Sequence, residues 1–203
     1  YFHIVDTQGN QLPYISEQDE VYKNDNELRI LTLVNAEADY KSQSLQLSSA
    51  PMLLEGQEKG DYTIYLKPEI TLSNVSLNVT HQDLDKRKVF GDLRFRKAMS
   101  VAINRQEINE VALFGQGTPK QYTGFSPMPD FIDKKWESYM IQYDPGMANS
   151  LLDQLGMKDT NGDGARELPN GKKLVINMQF ATQGIDPQIV EMIGQHWAEV
   201  GIK

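Results

Sequence analysis

The dipeptide Asp-Pro occurs at positions 144–145 and again at 186–187, and each time a run of apolar residues at helical spacing follows. Asp is a preferred N-cap and proline fits the first turn, so both positions predict helix starts. Gly156 and Gly201 stand where these helices should end. Residues 173–181 lie between the two helices and alternate apolar and polar side chains as a strand does. The order helix, strand, helix predicts an α/β lobe with crossover connections.

A helix pair is predicted immediately before this lobe. Asn104, with Glu107 three residues later, marks the start of the second helix, which Gly115 ends. The first helix is predicted from apolar residues at helical spacing, namely Phe95, Ala98, Met99, Ala102 and Ile103.

Residues 115–143, called here the aromatic loop, combine glycines and prolines with several aromatic side chains. Loops of this length are usually functional or disordered. The aromatic residues suit a wall that stacks on sugars or packs against peptide side chains. They could equally serve only to bury the loop against its own lobe. The candidate ligand contacts in this loop are Tyr122, Phe125, Trp136 and Tyr139.

The first part of the chain has weaker signals. Residues 5–11 predict a hairpin around a Gly-Asn turn, and Asn24 with Glu27 resembles a capping box for a helix through residues 28–34. Strand alternation competes with that helix. Further predicted elements are a short helix at 51–57 and strands at 61–68 and 75–79.

Composition excludes several classes of partner and site. The formal net charge is -8 and the longest basic run is Lys86 to Lys88, so a nucleic acid or an anionic membrane surface is not an expected partner. The sequence has no cysteine, which excludes disulfides, thiolate zinc sites and cysteine nucleophiles. No apolar run approaches the roughly 20 residues that a membrane helix needs.

A possible metal site lies between the two Asp-Pro helices. Asp159, Asn161 and Asp163 recur at every second residue before a glycine, as at the start of a calcium loop, and Glu167 could add an oxygen at position nine. Position twelve is Asn170 rather than the usual Glu. Asp, Asn and Gly are also the residues of a metal-free double turn. The turn is favoured, no cofactor is expected, and calcium remains the alternative.

No catalytic motif supports an enzyme. The three histidines are far apart and neither H-E-x-x-H nor G-x-S-x-G is present. His81 lies close to Asp83 and Asp85, and a solvated linker is favoured over a site there. We therefore expect no enzymatic activity.

Several segments together resemble one family. They are FGDLRFRKAMSVAINRQEI at 90–108, the G-x-G-x-P of 115–119, YDPGMANSLLDQLG at 143–156, DGARELPNGKKL at 163–174 and WAEVGIK at 197–203. In order and spacing they resemble the extracellular solute-binding proteins of family 5, the oligopeptide-binding proteins of ABC importers. NQLPYI, AEADY, PMLLEGQEKGDYTIYL and SLNVT in the first part are similar too, although Ala36 and Ala38 depart from the family pattern.

The resemblance implies an α/β fold of the periplasmic-binding-protein type, class II, with two lobes. Residues 1–75 would be part of the first lobe and residues 76–203 the second α/β lobe, with a hinge strand near 75–80 that contains Asn78. We expect the chain to be an internal fragment of a longer protein, ending before its next strand. The resemblance also favours helix over strand for residues 28–34.

The resemblance further implies a substrate-binding component of an ABC importer. Such a protein captures oligopeptides or oligosaccharides outside the cytoplasmic membrane, in a periplasm or on a lipid anchor, and delivers them to the permease subunits. Asn78 at the hinge and the aromatic loop are the candidate ligand contacts, and a monomer is expected. The alternative function is a calcium-stabilised extracellular interaction module without small-molecule cargo.

Overall fold

The computed structural model describes residues 3–43, 45–66, 74–123, 128–181 and 185–203. These residues divide into two compact units. The first unit comprises Tyr1–Ser42 and Ser49–Ile64, and the second comprises Gln43–Ser48 and Tyr65–Lys203. The assignment of residues 1–75 and 76–203 to two lobes stays a prediction.

Helices are the main regular elements of the described residues. In chain order they are α1 (Asn26–Val34), α2 (Ala50–Glu55), α3 (Gln57–Gly60), α4 (Leu84–Gly91), α5 (Leu93–Val101), α6 (Arg105–Ala112), α7 (Pro145–Gln154) and α8 (Pro187–Glu199). Short 3-10 turns lie at Leu47–Ser49 and Lys134–Trp136.

The first unit is small and has few buried side chains. The predicted hairpin at its start is confirmed by an antiparallel bridge between Val5 and Gln11, with Gly9 at a φ of 86° in the turn. Helices α1, α2 and α3 pack around Ile30 and Leu53, which are both buried. Segment 28–34 is therefore helix rather than strand.

The second unit is built on α5 and α7, which pack against each other. The apolar stripe predicted for the first helix of the pair is buried throughout, and the side chains of α7 that meet it include Ala148 and Leu152. Helix α8 joins this core through Trp197, whose indole Nε1 donates to the carbonyl oxygen of Met99 at 3.0 Å. The four helices α5 to α8 therefore share one core.

Helix ends follow the predicted chemistry with two corrections. Asp144 and Asp186 cap α7 and α8 as expected, each accepting a backbone N–H of the first turn. The N-cap of α1 is Asp25 and not Asn24, because the Asp25 carboxylate accepts from the Leu28 N–H. Asp83 is likewise an N-cap, of a helix α4 where a linker was expected. Its carboxylate accepts from two first-turn N–H groups, which stabilises a helix start despite the charged sequence that follows.

The predicted strands differ most from the structure. Within the described parts of 61–68, 75–79 and 173–181, the only strand pairing is an isolated bridge between Glu167 and Lys173. Residues 67–73 lie outside the described residues. The predicted alternation is visible as burial, since Leu174 is buried and Ile176 is half-buried between exposed neighbours. The Ile176 N–H donates to the carbonyl oxygen of Lys203 at 2.9 Å, but a single bond does not make a ladder.

Candidate functional site

The aromatic loop leaves the α5–α6 helix pair through a turn that Asn109 organises. The buried Asn109 side chain accepts the Gly117 N–H through Oδ1 at 2.7 Å, and its carbonyl oxygen accepts the Gly115 N–H at 2.9 Å. Gly115 has a φ of 71°, and a β-carbon at Gly117 would lie 2.6 Å from Asn109 Oδ1. Both glycines of the G-x-G-x-P segment are therefore required by this turn.

Trp136 and Tyr139 lie in the second half of the loop, and we call them the aromatic pair. Their ring centroids lie 5.5 Å apart at an interplanar angle of 66°, an edge-to-face contact. The Lys135 ammonium lies 5.3 Å from the centroid of Trp136, and the Lys97 ammonium lies 5.7 Å from that of Tyr139. Trp136 is 49% exposed and Tyr139 is 40% exposed. The rings contact each other and still expose part of their surface to solvent.

The two ends of the loop meet at the C-terminal end of α5. Gln121 donates through Nε2 to Ser100 Oγ at 3.0 Å and to the Tyr139 carbonyl oxygen at 2.8 Å. Ser100 Oγ donates to the Met140 carbonyl oxygen at 2.7 Å. Arg105 donates to both oxygens of Ser100, at 2.7 Å and 2.9 Å. Burial lowers the pKa of the Arg105 guanidinium from its usual value. Ser100 and Arg105 lie in the family-like segment 90–108, but nothing in the sequence indicated that they contact Gln121.

Asn78 lies at a separate place in the second unit. It lines a cavity of about 480 Å³ between segments 74–78 and 175–180, beneath α8. The Asn78 Oδ1 accepts from the N–H and the hydroxyl of Thr80, at 3.1 Å and 3.0 Å, and so shapes the turn before α4. A volume of this size falls within the range of small-molecule pockets. None of the described residues of the aromatic loop lines this cavity.

The Asp159 loop is a tight double turn in which the carboxylate oxygens of Asp159 and Glu167 have hydrogen-bond partners. Asp159 accepts the N–H groups of Gly162 and Gly164, at 2.7 Å and 2.9 Å. The Gly164 hydrogen bond is the main cause of a lowered Asp159 pKa.

Glu167, in the same loop, is only 6% exposed and accepts from the backbone N–H and the hydroxyl of Thr160 through Oε2, at 2.8 Å and 2.9 Å. Asn161 donates to the other Glu167 oxygen. Asp159, Asp163 and Glu167 place one oxygen each within 4.8 Å of one another.

The structure thus brings together part of the residue set expected from the sequence. Trp136 and Tyr139 are in contact, whereas Tyr122 is 62% exposed and pairs with no other described ring. Phe125 lies outside the described residues. Asn78 belongs to the cavity and not to the aromatic pair. Their roles in binding stay predictions.

Comparison with known proteins adds independent information. A family model described as "Bacterial extracellular solute-binding proteins, family 5 Middle" matches residues 8–203. The periplasmic alpha-galactoside-binding protein of Rhizobium meliloti is 27% identical over 224 residues, which cover 96% of this chain and 30% of that protein. The glutathione-binding protein GsiB of Pectobacterium atrosepticum is 29% identical over 183 residues, covering 87% of this chain and 33% of that protein.

Solved structures give the same picture. An oligopeptide-binding protein OppA aligns with a TM-score of 0.66 and 32% identity, covering 97% of this chain and 32% of that chain. A mannohexaose-bound periplasmic oligopeptide-binding protein of Thermotoga maritima aligns with a TM-score of 0.65 and 29% identity, covering 88% of this chain and 33% of that chain. The chain thus spans about a third of the length of the relatives it matches.

Proposed function

Because the chain belongs to family 5 of the bacterial extracellular solute-binding proteins, with the class II two-lobed periplasmic-binding-protein fold, we propose that it is part of the cargo receptor of an ABC importer. The receptor captures an oligopeptide or an oligosaccharide outside the cytoplasmic membrane and delivers it to the permease subunits. The names of its relatives cover alpha-galactosides, glutathione, oligopeptides and mannohexaose, so similarity alone supports both cargo classes.

The observation that carries the proposal is the partly exposed aromatic pair. Aromatic faces contribute apolar area with specific geometry, and they pack on sugar rings as well as on peptide side chains. Trp136 and Tyr139 keep 49% and 40% of their surfaces exposed although they contact each other. The exposed part of both rings is surface that burial of the loop does not use, and it is available to a ligand.

The proposal is binding without catalysis. His196 is paired with a carboxylate, since its Nε2 lies 3.0 Å from Glu107 Oε2. His196 is only 5% exposed, so a substrate cannot reach it. The pair links α6 to α8 and serves packing. A calcium-stabilised module without cargo has no support from the relatives, which are named for the solutes that they bind.

Location outside the cytoplasm is also part of the proposal. The alpha-galactoside-binding relative and the mannohexaose-bound one are described as periplasmic. Among the described residues, no helix combines the length and the apolar character needed to cross a membrane.

The proposal is tested by calorimetric titration of the full-length protein with mannohexaose and with a pool of tri- to hexapeptides. Trp136→Ala and Tyr139→Ala should each weaken binding of the accepted cargo about tenfold, because truncating a central aromatic contact removes on the order of 1 to 2 kcal/mol. Tyr22→Ala is the control, since Tyr22 is an exposed tyrosine of the first unit. Unchanged affinity in both loop variants would contradict a ligand role for the aromatic pair.

A further inference from the structure

We propose that Ser100 and Gln121 are positioning residues that hold the aromatic pair in its binding conformation before cargo arrives. This inference rests on the proposed function, since it assigns to the aromatic pair the role of a ligand contact. It concerns residues that touch the loop backbone and not the cargo. Three observations carry it: the saturation of the Ser100 hydroxyl, the bridging geometry of Gln121 and the backbone conformation of Met140.

The Ser100 hydroxyl uses all of its hydrogen-bonding capacity on the loop and its support. A serine hydroxyl has one donor and two acceptor lone pairs. Arg105 Nη2 and Gln121 Nε2 both donate to Oγ, at 2.9 Å and 3.0 Å. The hydroxyl hydrogen is therefore left for the Met140 carbonyl oxygen, 2.7 Å away. Two fixed donors thus orient the serine toward one acceptor in the loop.

Gln121 closes the loop on itself. Its side-chain amide donates to the Tyr139 carbonyl oxygen at 2.8 Å, and its backbone N–H donates to the Glu137 carbonyl oxygen at 2.8 Å. The same amide also reaches Ser100. The segment that carries the aromatic pair is therefore tied to Gln121 on both sides of Ser138, and through Ser100 to the end of α5.

Met140 shows why these ties are needed. It has a φ of 54°, in the left-handed region that is unfavourable for a residue with a β-carbon. Such a conformation persists only where surrounding contacts impose it. The bond from Ser100 to the Met140 carbonyl and the bond from Gln121 to the preceding carbonyl supply those contacts. Without them the chain after Tyr139 would relax and the ring of Tyr139 would leave Trp136.

The functional consequence is preorganisation. A ligand that meets rings already held in place does not have to order them, and that ordering would otherwise subtract from affinity. Loss of either positioning residue should therefore weaken cargo binding although no ligand contact is removed.

Gln121→Glu is the sharpest test, because it keeps the size and shape of the side chain while replacing the donating amide with a carboxylate. The new oxygens would face the Tyr139 carbonyl oxygen and repel it. Ser100→Ala is the second variant and removes the bond to Met140. Gln116→Glu makes the same charge change in the same loop, at an exposed residue whose side chain makes only a long contact of 3.5 Å with the Phe114 carbonyl oxygen.

The readout is acrylamide quenching of tryptophan fluorescence in the full-length protein, to which residues 1–203 contribute two tryptophans. Trp136 is half exposed and reports on the loop, whereas Trp197 is buried and reports on the core. A Trp136→Phe variant removes the Trp136 signal and a Trp197→Phe variant removes the Trp197 signal, so subtraction gives both contributions in each background.

In both test variants we expect the Trp136 quenching constant to rise toward that of free tryptophan, while Trp197 stays protected and Gln116→Glu changes neither. Unchanged Trp136 quenching in both test variants would overturn the proposal. Quenching that rises equally at Trp197 would also overturn it, because the residues would then support the core in general.

Titration of the full-length protein with cargo tests the positioning role of Gln121 separately from the ligand role of the aromatic pair. In the full-length protein, titrated with mannohexaose and the peptide pool, Gln121→Glu should weaken binding of the accepted cargo about tenfold, as loss of a preorganised contact would. If Trp136 is released but Trp136→Ala leaves affinity unchanged, the positioning role stands and the ligand role of the aromatic pair fails. If Trp136→Ala weakens binding but Gln121→Glu leaves affinity and quenching unchanged, the positioning role fails alone.

Discussion

Arg166 donates through Nε to the carbonyl oxygen of Val200 at 3.0 Å, which fastens the loop after α7 to the end of α8. The same guanidinium donates to Asp153 Oδ1 at 2.6 Å and to Asn149 Oδ1 at 2.9 Å, both on α7. The Arg166 N–H donates to the Gly201 carbonyl oxygen at 2.7 Å. One side chain thus joins two helix ends that are far apart in the sequence.

This contact predicts that the stability of the fold is unusually sensitive to an added β-carbon at Gly201. Gly201 has a φ of 79°, and an added β-carbon would lie 2.9 Å from Arg166 Cγ, whose guanidinium is held by its hydrogen bonds and cannot easily move. Gly201→Ala should therefore lower the free energy of unfolding by at least about 2 kcal/mol, since a left-handed alanine and a clash add together. Urea unfolding at neutral pH measures the difference.

Gly162→Ala is the matched control for that prediction. Gly162 has the same φ of 79°, but nothing lies within 4 Å of an added β-carbon. Gly162→Ala should therefore lower the free energy of unfolding by only about 1 kcal/mol, the cost of a left-handed backbone at alanine. An equal decrease in the free energy of unfolding of the two variants would show that the clash with Arg166 adds nothing to the cost at Gly201.

Acid should weaken the fold partly through Asp159. The N–H of Gly164, with that of Gly162, holds the pKa of Asp159 below its usual value. A carboxylate with a lowered folded-state pKa contributes stability above its unfolded-state pKa of about 3.9, and this contribution is lost as the pH falls through the folded-state value. Asp159→Asn should therefore be less stable than the wild type at pH 7, and the difference should vanish in strong acid. Urea unfolding across the acid range measures it, with Asp19→Asn as an exposed control. A deficit that is the same at every pH would contradict this reading.

We expect calcium to leave stability unchanged, because the carboxylate oxygens of Asp159 and Glu167 already accept hydrogen bonds within the loop. Both Glu167 oxygens accept hydrogen bonds from the loop, and Asn170 occupies the position of the bidentate Glu of a calcium loop. Thermal unfolding after chelator treatment, with and without calcium at about 1 mM, the range of weak extracellular sites, tests this. A clear rise in melting temperature that Asp163→Asn abolishes would establish a calcium site at Asp159, Asp163 and Glu167.

The elements that the sequence predicted well depend on neighbours in the sequence. Helices α7 and α8 were predicted because an Asp cap, a proline and an apolar stripe lie within a few residues of each other. Helix α4 was not predicted because the basic residues 86–88 precede its only two buried side chains, Val89 and Phe90, which are too few to form an apolar stripe. The predicted strands fared worse, since a ladder depends on a partner that local alternation does not specify.

In the site, too, the residue types could be predicted from the sequence but the contacts between them could not. Aromatic residues in a long loop could be recognised from composition, but the contact between Trp136 and Tyr139 could not. The bonds that hold the aromatic pair join residues 21 and 40 positions apart, from Gln121 to Ser100 and from Ser100 to Met140. Serine and glutamine in such positions have no periodic signal. Only the folded geometry shows that they serve the loop.

The central claim is cargo capture, and a thermal-shift screen of the full-length protein tests it most directly. The screen compares a pool of tri- to hexapeptides with a pool of oligosaccharides that includes mannohexaose and alpha-galactosides. A cargo at 100 times its dissociation constant should add about 2.7 kcal/mol of stability. We predict a clear rise in melting temperature with one pool, which would also name the cargo class. No shift with either pool would contradict the proposal that this receptor carries oligopeptides or oligosaccharides.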